Sequence, residues 1–478
     1  MKGVSLKKTS GEPSSSPSGQ RQSSHQRSSL NRKRFLSPLW LLPALGLLST
    51  PWLMQLHHSI EAKQQQAQMD IRAQAFFTTI QRQPQNKSAE QFDQLGAALG
   101  FLPNSPLSLN TTPVTQIDAA ASKQYRTIQP ALNHLLTEQL GNTQNPEKQP
   151  IPSVPTHLKD YLTAIQPQLS AIQVHLLEQE PPQWEINMEK MSDEHYLFPG
   201  LTNVLNTQKL LLLSALWHNQ QNQQPEMLSA LEASWKLNQA IAQRPDLVGQ
   251  TSASVAADYQ ARLLRHTQNL PQPQLEQWQL RLSQQAKQQS VLNGFRFDIW
   301  LQYQTLQKSL SKVTTQSTLL APFSPVHRFT LVNIDSIQTA HRAIDVLNSI
   351  SVCETSQPAI EAQLSTIHTA PWNEAIARPA ATLAEKWKKE GDRALSLELT
   401  QQALKAQQYY QKHQQWPAAS SPSTQATSTA CPNEYWISEQ SENNTLTIRL
   451  STHLSPAPSQ PLQISLTASN REREDTEE

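Results

Sequence analysis

Glycine is scarce in this 478-residue chain, with 11 glycines against 33 prolines. Average usage is about 7% glycine, so the chain forgoes most of the flexible turns that small β-proteins need. Few glycines, abundant Gln and Ala, and prolines gathered between periodic runs describe helices punctuated by proline-rich turns. Cysteine is also scarce. The two residues, Cys353 and Cys431, lack CxxC spacing, which removes zinc ribbons and dithiol redox chemistry from consideration. Aromatic residues make up 6% and recur at helical spacing, a pattern of core packing and not of a base- or sugar-stacking platform. Charged residues are only 16%, against about 25% in an average soluble domain. The net charge of +1 supplies no field for nucleic acid or for a strongly acidic substrate. GxSxG, HExxH, a P-loop, GxGxxG after a strand, an EF-hand loop and Cys/His zinc patterns are all missing. No cofactor and no metal is expected. Paired carboxylates such as Asp193-Glu194 read as part of a solvated loop.

One long hydrophobic run is present. Phe35 to Leu56, FLSPLWLLPALGLLSTPWLMQL, carries no charge. At about 1.5 Å per residue it makes roughly 33 Å of helix, enough to cross a hydrocarbon core of about 30 Å. Lys2, Lys7, Lys8, Arg21, Arg27, Arg32, Lys33 and Arg34 precede it, and the first basic residue afterwards is Lys63. The positive-inside rule then predicts a cytoplasmic N-terminus and an exported C-terminal part. Trp40 and Trp52 stand near its two ends, where amphipathic rings suit membrane interfaces. A cleaved signal peptide would have a shorter apolar region and an A-x-A-type site, and neither occurs between Ser49 and Ala62. A buried core helix fits poorly with Arg32-Lys33-Arg34 directly before the run.

The expected organisation follows from this segment. Residues 1–34, rich in Ser, Gln and basic residues, form a disordered cytoplasmic tail. Residues 35–56 span the membrane, and 57–103 hold a stalk and a short helix in which Ser88 and Gln91 read as a capping box. Residues 104–417 form a helical domain. Within it Ile117 to Leu140 reads as helix with a boundary or kink near Pro130. Leu158, Leu162, Ile165, Leu169, Ile172 and Leu176 mark one face of a helix from Thr156 to Gln179. Leu201 to Trp217, with Leu210 to Leu213 in a row, is apolar all round and predicts a central buried helix. Further helices carry Met227 to Ile241, Val255 to Leu263, Leu275 to Leu282, Leu292 to Leu306 and Phe329 to Val352. Another runs from Pro379 to Lys389, stopped by Gly391, and a last one is capped by Asp392 and reaches His413. Residues 418–429 form a Ser/Thr/Pro/Ala linker, 430–468 a small β element, and 469–478 a charged tail. In the β element Glu434 to Gln440 and Thr445 to Ser451 suit a hairpin, to which Leu462 to Ala468 adds a third strand. The fold class is therefore mostly α: one N-terminal transmembrane helix, an exported helical-hairpin array and a small C-terminal β hairpin or three-stranded element.

Two constellations bear on chemistry. His341 falls within the apolar stripe of Ile334, Ile337, Ile344 and Leu347, and Asp345 follows one turn later. A carboxylate-oriented histidine suits a base or a metal ligand, but no second ligand or nucleophile accompanies it, and a satisfied structural pair is the blander account. Cys353 and Cys431 both fall on the exported side. Pairing would close a loop worth on the order of 4 kcal/mol in an oxidising compartment; the alternative is two buried thiols, and spacing leaves both open.

Ala233, Leu237, Ala240 and Pro245 are spaced as in the second helix of a tetratricopeptide repeat, a resemblance that covers one helix and implies stacked helices. In layout the chain resembles bacterial single-pass membrane-anchored helical proteins. The expected role is that of a cell-membrane protein with a periplasmic or extracellular body that scaffolds or assembles envelope proteins. Its partners would be the lipid bilayer and other envelope proteins, with no nucleic acid. The alternatives are a membrane-tethered envelope hydrolase with a site near His341 and Asp345, and a small-ligand receptor, whose mark would be an apolar pocket between helices with a few convergent polar groups.

Overall fold

The computed structural model describes residues 60, 63–80, 84–104, 117–140, 152–187, 198–267, 270–285, 289–314, 325–350, 362, 374–417, 426–431, 434–441, 445–451 and 463–467. Residues 35–56, which the sequence leads one to expect in a membrane, both terminal segments and Cys353 lie outside the described residues. Among the described residues no helix is long and apolar enough to cross a membrane.

Helix α1 covers residues 63–79, which the sequence assigns to a stalk. Its stripe of Met69, Ala73, Phe76 and Phe77 recurs at spacings of four and three. Met69 and Ala73 are buried in a core shared with Phe295, Trp300, Ile337 and Trp387. Phe77 meets Phe297 edge-on at 6.0 Å between ring centroids, and Tyr303 Oη donates to Asp70 Oδ1 at 2.7 Å. The segment is thus laid onto the helical body from Gln66 to Phe77.

Next come α2 (Lys87–Ala98), α3 (Ala119–His134), α4 (Thr156–Glu178), α5 (Thr202–Gln220), α6 (Gln224–Ala242), α7 (Leu247–His266) and α8 (Gln272–Gln285). They are followed by α9 (Gln289–Thr314), α10 (Pro325–Ser349) and α11 (Glu374–His413). As the Leu210–Leu213 run predicts, α5 is buried on every side, and these four leucines are fully enclosed. It forms a hairpin with α6 through Asn222, whose φ of 57° is the left-handed conformation that Asn tolerates in a tight turn. Ala233, Leu237 and Ala240 all face inward from α6, so the stacked-helix expectation holds.

Three local expectations are corrected. The cap of α2 is Asn86, whose Oδ1 accepts from Ala89 N at 2.9 Å and from Gln183 N at 3.0 Å; Ser88 sits inside the helix and bonds elsewhere. Pro130 does not end α3. The irregularity falls one turn later, where Leu135–Gln139 forms a π-turn. Gly391 does not stop a helix, and Asp392 caps none, because α11 runs unbroken through both. An interior glycine costs about 1 kcal/mol, and the contacts on either side of it outweigh that. Ser254 Oγ donates to Glu390 Oε1 at 2.6 Å, Ser396 Oγ to Asp258 Oδ1 at 2.6 Å, and Arg265 Nη2 to Ser396 Oγ at 2.8 Å. Residues on both flanks of the glycine are therefore bound to α7.

Helix α11 contributes to three of the cores formed by the described residues. Trp387 enters the core of α1, α9 and α10; Leu397 and Leu404 enter the main core of α2 to α8; Leu395, Leu399, Ala403 and Ala406 form the floor of the β element. That element has one strand more than expected. Strands β1 (Ala426–Thr427), β2 (Tyr435–Gln440), β3 (Thr445–Leu450) and β4 (Gln463–Thr467) make an antiparallel meander in sequence order. Register places Trp436 opposite Leu450 and Ile448 opposite Ile464. The alternating Leu446, Ile448 and Leu450 turn onto α11. A three- or four-stranded sheet gains independent stability only with a covered apolar face, and α11 supplies that cover.

Candidate functional site

His341 and Asp345 are near enough for the carboxylate's charge to act on the imidazole, but no hydrogen bond joins them. Asp345 has a side chain 76% exposed and reaches Arg296 at 3.9 Å. His341 lies against Trp300, with ring centroids 4.4 Å apart, and its buried Nε2 has no hydrogen-bond partner. Burial pushes its pKa down to about 4; the charge of Asp345 opposes that shift, and Arg296 and Arg72 add to it. His266 is likewise pushed down to about 4, first by burial and then by Arg265, against a backbone bond at Leu140. A base whose folded pKa lies below its unfolded value binds fewer protons when folded. Each histidine therefore contributes stability that is complete above about pH 6.5 and is lost as pH falls toward 4. His341→Phe should leave stability at pH 7.5 within about 1 kcal/mol, because it removes an orphaned buried nitrogen and keeps the ring contact. The same variant should lose less stability than wild type between pH 7.5 and 5, as read from urea midpoints.

Cys431 is buried beneath the sheet and disulfide-bonded. Cys353, the other member of the possible pair, is not among the described residues.

The fold brings a serine and a histidine together where sequence offers no signal, since they lie 87 positions apart. Ser88 Oγ and His175 Nε2 are 3.0 Å apart, both residues buried. Ser88 Oγ already donates its proton to Glu180 O at 2.7 Å, and His175 Nε2 also contacts Ser88 O at 3.0 Å. A nucleophilic hydroxyl must give its proton to the base, so this arrangement ties α2 to the end of α4 and does not prime an attack.

A concavity of about 450 Å³ opens between the residue 198–201 segment, the α6–α7 turn and α9. Its apolar wall includes Phe198, Leu201, Val248 and Leu301, and the polar groups Arg244, Asp246 and Asp298 converge on it. Local sequence explains the turn. Pro245 ends α6, and Asp246 caps α7, accepting from Gly249 N at 2.9 Å through Oδ2. Its Oδ1 takes Arg244 Nε at 2.8 Å, while Arg244 Nη1 donates to Pro199 O at 2.6 Å. The guanidinium is thereby held on the cleft wall. Asp298 projects from α9 toward the same helix start and accepts from Leu247 N at 3.4 Å. Burial raises its pKa to about 6, the Leu247 amide and Lys386 pull it down, and Asp246 adds to the rise.

Glycine sets how closely these elements approach. A Cβ on Gly294 of α9 would lie 2.9 Å from Leu247 Cα and 3.2 Å from its nitrogen. Backbone cannot yield as a side-chain tip does, so Gly294→Ala should cost about 1–3 kcal/mol by overpacking. Thermal or urea unfolding checks it, and an unchanged midpoint would contradict this tight contact. Sequence reading missed the cleft because Arg244-Pro245 registers as a helix end and Asp298 sits within a helical stripe. The one available signal was the Arg-Pro-Asp order, which sets opposite charges across a turn.

Comparison of the chain with protein-family models, with curated proteins and with solved structures finds no match in any of the three.

Proposed function

We propose that this chain is a membrane-anchored envelope protein, held by residues 35–56 with an N-terminal cytoplasmic tail, whose exported helical body serves as a scaffold or assembly platform for other envelope proteins. The observation that carries the scaffold reading is how the buried polar groups are used. Ser88, His175, Asp258, Arg265 and Glu390 are each engaged in contacts that join one element of the body to another. The disulfide at Cys431 supports an oxidising compartment for the body. Outward-facing apolar side chains, Val174 on α4 and Leu280 on α8, offer positions from which to probe a docking partner. A photo-crosslinking amino acid placed at either position in living cells should give a discrete adduct with the same envelope protein in repeated experiments. Absence of any adduct at both positions would count against the scaffold.

A second reading, a small-ligand receptor, is favoured by the cleft at Arg244, Asp246 and Asp298. Its volume falls in the range of small-molecule sites, roughly 300–1,000 Å³, and its lining combines apolar walls with a few convergent polar groups.

A further inference from the structure

We propose that the cleft between the α6–α7 turn and α9 takes a small organic ammonium with an apolar body, the ammonium seated on Asp298. The inference rests on the receptor reading and names the ligand class for that site.

Charge and hydrogen bonding distinguish the ammonium from other classes. Arg244 is neutralised within the cleft by Asp246 at 2.8 Å and is held further by Pro199 O. An incoming anion would have to compete with a carboxylate already in place on that guanidinium. The cleft lining carries one guanidinium and two carboxylates, so it holds a single excess negative charge when both acids are ionised. The excess resides on Asp298. Its only hydrogen bond among the described residues is the long one from Leu247 N to Oδ1, which leaves Oδ2 without a protein donor. A half-buried carboxylate with an unfilled acceptor is costly to keep charged, and a ligand N–H donor offsets that cost. A positive charge gains most there, because charge-assisted bonds are shorter and stronger than neutral ones. Phe198, Leu201, Val248 and Leu301 then contact the remainder of the ligand, and the volume suits a single ring or a short chain.

The groups facing Asp298 fix the pH behaviour. Asp246, on the same cleft, acts on it as a like charge, the α7 amide of Leu247 bonds it, and Lys386 of α11 acts on it from outside the cleft lining. Protonation of Asp298 near pH 6 removes the charge that the ammonium needs, so binding should weaken as pH falls from 7.5 to 5. Benzylamine and longer arylalkylamines keep their own charge throughout that range.

The test uses the full chain in detergent micelles and three probes of one shape: 2-phenylethylamine, 2-phenylethanol and phenylacetate. Saturation-transfer NMR should show saturable binding of the amine at pH 7.5, at least tenfold tighter than either analogue and reduced at least fivefold at pH 5. Asp298→Asn keeps the side-chain shape and should abolish the preference for the amine, with an unchanged circular dichroism spectrum as the check on folding. Leu301→Ala should weaken the amine while preserving its preference over phenylacetate. If phenylethanol or phenylacetate binds as tightly as the amine, the ammonium assignment is overturned and the receptor reading stands. If none of the three binds saturably, the receptor reading falls with it.

Discussion

Asp93→Ala should lower the stability of the helical body by about 4 kcal/mol. Asp93 lies on α2 at 4% exposure and gathers donors from three other parts of the chain. Its Oδ1 accepts from Asn104 N at 3.0 Å, Asn104 Nδ2 at 2.9 Å and Asn203 Nδ2 at 3.3 Å, and its Oδ2 from Trp184 Nε1 at 3.3 Å. Asn203 begins α5, and Trp184 packs edge-on against Phe92 at 5.8 Å. Truncation leaves these donors buried without an acceptor, at about 1–3 kcal/mol for each one that water cannot reach. Asp93→Asn retains one carbonyl acceptor but turns an NH₂ toward other donors, so it should fall between wild type and Ala. Urea unfolding followed by tryptophan fluorescence measures both, and a loss under 1 kcal/mol for Asp93→Ala would contradict the hub.

Glu398→Ala should loosen the β element without unfolding the helices beneath it. Glu398 lies on α11 at 4% exposure and receives Ser428 Oγ at 2.6 Å, Ala430 N at 2.6 Å, Trp436 Nε1 at 3.3 Å and the hydroxyl of Thr429. The carboxylate thus holds the β1–β2 connection, which also carries Cys431, onto the helix. Losing it exposes several donors at once, on the order of 3–5 kcal/mol, and the local cost falls on the sheet. The apolar contacts of Trp436, Leu446 and Ile448 on α11 remain, so the expected sign is faster opening of the sheet. Hydrogen exchange should accelerate at least about 100-fold at β2 and β3 amides and change little in α5. Equal acceleration in both places would show that the sheet and the main core open as one unit.

The elements whose residues meet close in sequence were legible from it. The Leu210–Leu213 run identified a central helix because four consecutive leucines leave no polar face. The alternation in TLTIRL identified a strand, and its inward set, Leu446, Ile448 and Leu450, is the set that covers α11. Long-range polar contacts were not legible. Asp93 and its partners at 104, 184 and 203 share no spacing that a linear reading can register, and the same holds for Glu398 with Trp436. Local rules also failed where tertiary contacts outweighed them. Ser88 and Gln91 satisfy the capping-box spacing, yet Asn86 caps α2 because it bonds Gln183 at the same time. Gly391 has the composition of a helix stop, yet Glu390 and Ser396 on either side are bound to α7. His341 and Asp345 illustrate a third limit. A four-residue spacing places two side chains on one helical face, but the aspartate is exposed and lies 3.9 Å from Arg296, while the histidine ring packs on Trp300.

The most direct measurement of the proposed anchored, exported arrangement is protease accessibility of the full chain, tagged at both ends, expressed in bacterial cells with a permeabilised outer membrane and an intact inner membrane. Residues beyond the 35–56 segment should be digested while the N-terminal tag is protected. Cys431 should resist alkylation in denaturant until a reductant is added. A body that stays protected from protease, with Cys431 alkylated before reduction, would place it in the cytoplasm and contradict the envelope assignment.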